Sequence, residues 1–268
     1  MTGFIHAPGS FGPKSPDRPA PSALLSNVEA AAAYFRSCAA PLTDADVRAP
    51  SRLPGWSRGH VLAHVAGVAD AMARQLDYAA RGETIELYDG GADGRNRAIE
   101  EASVRSADRL RADLDAALDR ALSAFRDLSN EGWQAPIAYR GGVVRDGGLA
   151  LWRELVIHAT DLGNGSEADR WSPQFCEHLF GFLSARVPAG VRLRLQPFGM
   201  APLVLTGKTG GEAAAATGST VSVNGMATDI AAWLAGRTPN LGSLRAESDA
   251  DGIELPKLLP WPSGIPAK

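Results

Sequence analysis

The chain has 268 residues, enough for one large domain or two small ones, and its 45% hydrophobic and 21% charged residues exclude a disordered or fibrous protein. A formal net charge of −3 gives no basis for a nucleic-acid or membrane-surface partner. Its two cysteines, Cys38 and Cys176, lie far apart in no metal-binding spacing, which argues against a disulfide scaffold and predicts a reducing, cytoplasmic setting.

Residues 1–21 are rich in Pro, Gly and Ser, show no periodicity and lack the apolar core of a signal peptide, so they predict a mobile tail. From Ser22, the positions Leu24, Leu25, Val28, Ala31, Ala32 and Phe35 recur at helical spacing up to Pro41. A second helix starts at Ser57, a good N-cap after Gly55 and Trp56, and stops at Gly82. Val61, Leu62, Val65, Val68, Ala69, Met72 and Leu76 give it a broad apolar stripe. Residues 83–97 are polar and glycine-containing and predict a loop. A third helix follows at about 98–128, on Ile99, Val104, Leu110, Leu114, Leu118, Leu122 and Phe125. Residues 129–148 predict a loop or short hairpin, and a fourth helix spans about 149–162. Four helices of this length within residues 22–167 predict an antiparallel four-helix bundle.

The pattern then changes in kind. A helix at about 173–186 precedes three stretches rich in β-formers: VRLRLQP (191–197), APLVLTG (201–207) and STVSVNG (219–225). A Gly-rich loop at 207–218 separates the last two, and MATDIAAWLAGR adds a short amphipathic helix. Residues 168–268 thus predict a small α+β domain with a proline-rich, extended end, and the chain as a whole is mainly α with two domains. No stretch is long and apolar enough to span a bilayer.

Chemistry concentrates in LWRELVIHATDLG (151–163), where Glu154 and His158 sit one helical turn apart inside an apolar run. Each costs free energy to bury unless it is satisfied. His60 and His64 are also four apart on the second helix, so a bundle can bring one of them to face the pair. Two imidazoles and a carboxylate suit Zn²⁺ or a similar divalent ion and leave a coordination position open, as in a catalytic site. A His–Glu pair satisfied by its own hydrogen bond accounts for the same residues without a metal, and spacing does not choose between His60 and His64. The remaining histidines, His6 and His178, read as structural or surface residues.

PGWSRGHVLAHVAG (54–67) and WRELVIHATDLG (152–163) closely resemble two motifs of the mycothiol-dependent maleylpyruvate isomerase family, and VNGMATDIAAWLAGR (223–237) resembles its third. The resemblance runs from about residue 23 to 245. It implies a DinB-like metal-binding bundle followed by a small α+β domain. It places the metal ligands on His64, Glu154 and His158, choosing the second histidine of its stretch, and an active-site arginine on Arg237. An arginine after Gly236 at a helix end also serves simply as a cap. Trp56 and Asp161 match as well, the first as an anchor at the helix entry, the second as an acceptor for the outer N–H of a metal-bound imidazole.

The resemblance further implies mycothiol as the thiol cosubstrate. A metal-activated thiolate adds to the cis double bond of maleylpyruvate, the bond rotates, and expulsion of the thiolate leaves fumarylpyruvate. Arg237 would hold a carboxylate or steady the enolate charge. The same thiolate would serve a mycothiol S-transferase in detoxification or natural-product biosynthesis. A non-catalytic metal-binding protein is the third reading. The expected partners are mycothiol and a small electrophile, with the chain a monomer or homodimer.

Overall fold

The computed structural model describes residues 21–207, 219–248 and 255–262. The expectations for the N-terminal tail, Pro21 apart, and for residues 208–218 of the Gly-rich loop lie outside these residues.

Helix α1 (Pro21–Ala39) buries Leu24, Val28, Ala31, Ala32, Phe35 and Ala39, the stripe that its periodicity predicts. A short helix, α2 (Asp44–Arg48), follows, with Thr43 and Asp46 forming a reciprocal capping box. Helix α3 (Arg58–Ala79) begins after the expected Ser57 cap. The third predicted helix is in fact two, α4 (Gly91–Ser103) and α5 (Ala107–Arg126), and α4 starts inside the stretch read as a loop. The chain breaks because Ser106 turns to cap α5, accepting from Arg109 N at 3.3 Å, while Asp44 Oδ1 accepts from Ala107 N at 2.6 Å. Val104, counted as an apolar helical position, falls in this break and is exposed.

Helix α6 (Val144–Asp161) begins more than a turn before the expected start. Gly147 and Gly148 weaken the helical signal in sequence but serve its packing. A Cβ on Gly148 would meet Leu24, Trp133 and Phe125 at 3.2–3.4 Å, and one on Gly147 would meet Ile137 and Met72 at 3.1 Å. The preceding segment holds two 3₁₀ turns and an antiparallel bridge between Pro136 and Val143. Helices α1 and α3 each pack against both α5 and α6, closing the four-helix bundle.

Helix α7 (Pro173–Leu183) continues into a 3₁₀ turn at Ser184–Arg186. Strands β1 (Val191–Pro197), β2 (Leu203–Thr206), β3 (Ser219–Gly225) and β4 (Arg245–Ser248) form one sheet in the order β2-β1-β3-β4. β1 and β3 run parallel, and the other pairs are antiparallel. β4 was not foreseen: of its residues only Ala246 is an apolar side chain, too little for an alternating pattern. Helix α8 (Ala227–Leu234) packs on α7.

The apolar core is continuous between the bundle and this α+β part, with Trp152 of α6 edge-on to Phe175 of α7. Arg58 adds a polar clamp near the junction: its Nε donates to Leu162 O at 2.7 Å and its Nη2 to Gly163 O at 3.3 Å, tying the end of α6 to the start of α3. No described helix is long and apolar enough to cross a membrane.

Candidate metal and active site

Where α3 meets α6, His64 comes to face Glu154 and His158. His64 Nε2 and His158 Nε2 each lie 2.9 Å from the same oxygen, Glu154 Oε2. The two rings are perpendicular, with centroids 4.7 Å apart. One ligand atom from each residue falls within 4.8 Å of the others, the one such grouping of His, Cys, Asp or Glu among the described residues.

His60 is absent from the cluster. It caps its own helix: Ser57 N donates to His60 Nδ1 at 3.2 Å, Ser57 Oγ accepts from His60 N at 3.3 Å, and Nε2 faces Glu100 Oε2 at 3.2 Å. Trp56 stacks on His60 and meets His64 edge-on, as befits an anchor at the helix entry.

Each imidazole of the cluster has a partner on its outer nitrogen. His158 Nδ1 lies 2.8 Å from Asp161 Oδ2. Arg237 grips that carboxylate with two bonds, Nε to Oδ1 at 3.1 Å and Nη2 to Oδ2 at 2.7 Å. On the other side, Arg95 Nη2 donates to His64 Nδ1 at 3.1 Å. A guanidinium only donates, so Arg95 matches the tautomer with its hydrogen on Nε2; an ion held by Nε2 would shift that hydrogen to Nδ1 and turn Arg95 away.

Charge follows from these contacts. Burial lowers the His64 pKa to about 4 despite Glu154, and the ring is neutral. Burial acts the same way on His158, but hydrogen bonds to Asp161 and Glu154 outweigh it and raise the pKa to about 9. Burial would raise the two carboxylates. The imidazoles instead hold Glu154 well below the usual range, and His158 with Arg237 brings Asp161 down to about 2.

A cavity of about 520 Å³ opens on this cluster. Trp56, Tyr88, Arg95, Tyr139 and Arg153 line it from the bundle side, and Phe182, Arg237 and Trp261 from the C-terminal part. Tyr88 is driven up to about 12 by burial. Burial also pushes the Arg153 guanidinium below its ordinary range. Neither cysteine is among the residues that line the cavity, and burial raises both thiols, Cys176 to about 12. His178 stacks on Trp152 and contacts Arg153.

Sequence reading missed Arg95, Arg153, Tyr139, Phe182 and Trp261. Arg95 sat in the presumed loop. Trp261 and Pro262 lie in the proline-rich end, and these two residues line the cavity. Only Arg153 carried a signal, a cation inside an apolar helical run.

A helical bundle with a His–Glu–His cluster, its cavity closed by an α+β part bearing an arginine, defines a two-part class of protein. Family models match both parts: the mycothiol maleylpyruvate isomerase N-terminal domain on residues 28–163, and the C-terminal domain of the same family on residues 170–256. The chain belongs to the mycothiol maleylpyruvate isomerase family. Among solved structures it is similar to a mycothiol-dependent maleylpyruvate isomerase, at 21% identity over 89% of this chain and 95% of that one, with a TM-score of 0.74. A histidine-to-alanine mutant of a mycothiol-dependent maleylpyruvate isomerase matches with the same figures. Both share this fold. No curated protein matches the sequence.

Proposed function

We propose that the chain is a mycothiol-dependent isomerase that converts maleylpyruvate, or a close relative, from the cis to the trans form in the cytoplasm. One observation carries this reading: three metal-type ligands and the side chains of Arg95, Arg153 and Arg237 line a single cavity. Such a cavity suits an electrophile bearing carboxylates.

The residues fit a divalent ion. Asp161 at Nδ1 of His158 is the acceptor that orients a metal-binding imidazole and leaves Nε2 to face the ligand position. Two nitrogens and a carboxylate oxygen favour zinc or a similar ion. His64, Glu154 and His158 would hold it, and when bound it supplies the acidity that turns a thiol into a thiolate at neutral pH. The thiol comes from outside, since neither cysteine lines the cavity. Arg237 holds Asp161 in place and, with the N–H groups it has left, steadies negative charge on the substrate. Trp56, Phe182 and Trp261 supply apolar wall that excludes water.

The test is metal analysis together with turnover of maleylpyruvate, with and without mycothiol. The expected result is about one zinc-type ion per chain and turnover that needs mycothiol. His64→Ala, Glu154→Ala and His158→Ala should each lose metal and activity. Metal loss in His60→Ala but not in His64→Ala would overturn the ligand assignment. Equal turnover without thiol would overturn the reaction.

A further inference from the structure

We propose that Arg153 binds a carboxylate of the electrophile, a role separate from that of Arg237. The inference rests on reading the cavity as the site of an anionic electrophile.

Arg153 lies on α6 with Ala150 three residues before it and Ile157 four after, and all three line the cavity. Glu154 and His158 form the adjoining stripe of the same helix, so the cation and the ligand cluster share one wall. Arg153 is only 5% exposed. An arginine so buried is ordinarily paired with a carboxylate. Among the described residues Arg153 forms no ion pair; its contacts are the imidazole of His178, Nη1 to Nε2 at 2.9 Å, the hydroxyl of Tyr139 at 3.3 Å, and the face of Phe182, 3.7 Å from the guanidinium carbon. Glu154, its neighbour in the chain, is turned to the two imidazoles.

Two of its five N–H donors are therefore engaged, and the guanidinium is braced by groups from both parts of the chain. Arg237 differs. Its Nε and Nη2 are on Asp161 and its Nη1 donates to Ala235 O at 2.8 Å. A buried cation with no directly bonded counter-charge is costly to keep, and Glu154 acts on it only through space. A carboxylate entering the cavity supplies that counter-charge, and its two oxygens match the planar fork.

The experiment titrates metal-loaded protein, without thiol, with maleate and with its neutral dimethyl ester by calorimetry. Wild type, Arg153→Gln and Arg153→Lys are compared, and metal content and thermal midpoint are measured for each. Arg153→Lys keeps a cation and much of the packing, which covers a folding defect in Arg153→Gln. Maleate should bind wild type and weaken roughly 10- to 100-fold in both variants, with metal retained and no change for the ester. Unchanged maleate binding in folded variants, no maleate binding in wild type, or equal losses for diacid and ester would each overturn the proposal. The two readings fail separately. Arg153-dependent maleate binding in a protein that does not turn over maleylpyruvate would uphold this proposal and remove the isomerase. Normal turnover with an unchanged KM in both variants would do the reverse.

Discussion

His60 and His64 sit one turn apart on α3 with different work. The first closes the helix end, and the second faces a carboxylate across the bundle. His60→Ala should keep its metal and lose about 1 kcal/mol of stability, read by urea unfolding, because it removes one half of a cap. Asp161→Asn should retain the fold yet bind zinc roughly 10- to 100-fold more weakly in a chelator competition, since the acceptor that orients His158 loses its charge. Arg153→Met should match or exceed the wild-type thermal midpoint while losing affinity for diacids, because a buried cation without a bonded carboxylate gives way to apolar volume. The spacing of Glu154 and His158 was legible because a helix fixes which residues share a face. The choice of His64 over His60 came from family motifs, and Arg95 and Trp261 were invisible, since their contacts depend on segments that meet only in the fold.

Helix ends decide how these side chains are held. Arg58, at the first turn of α3, donates to the carbonyls that follow α6, so both helices that carry the His–Glu–His cluster are fixed at the end nearest the junction. Arg58→Ala should cost about 1–3 kcal/mol and weaken zinc binding as well, whereas a remote surface arginine should affect neither. Asp229 does similar work in the α+β part. Its carboxylate is solvent-inaccessible and accepts from Leu241 N at 3.1 Å, Ser243 N at 2.8 Å and Ser243 Oγ at 2.7 Å. Burial would raise its pKa, but these donors hold it below the ordinary carboxylate value. The depressed folded-state pKa means its stabilisation is complete at neutral pH and is lost as pH falls below about 4. The stability gap between wild type and Asp229→Asn, measured by urea unfolding across pH, should therefore be largest near neutrality and close in acid. Strongly periodic elements such as α1 and α3 were readable to within a residue or two. The α4–α5 break was not, because Ser106 sits inside a pattern whose apolar residues keep helical spacing on both sides. The early turns of α6 were missed because glycine, a poor helix former, is used there for close packing.

At the scale of the whole molecule, the proposed ligands join helices whose residues lie 90 positions apart in sequence. A bound ion stabilises only the folded chain, by about 2.7 kcal/mol at a hundredfold excess over its Kd. Chelation should therefore lower the thermal midpoint of wild type and leave that of His64→Ala unmoved. The link from Arg237 through Asp161 to His158 has a further bearing, on descent. Suppose a lineage acquired a new electrophile by exchanging its C-terminal half for a foreign one. Most of the cavity roof could be rewritten freely, but the newcomer would need a guanidinium where Arg237 stands. Without it, a nearly inaccessible carboxylate would keep only one of its two hydrogen-bonding partners. Recombination at the junction is thus open to many sequences and closed to those lacking that single residue.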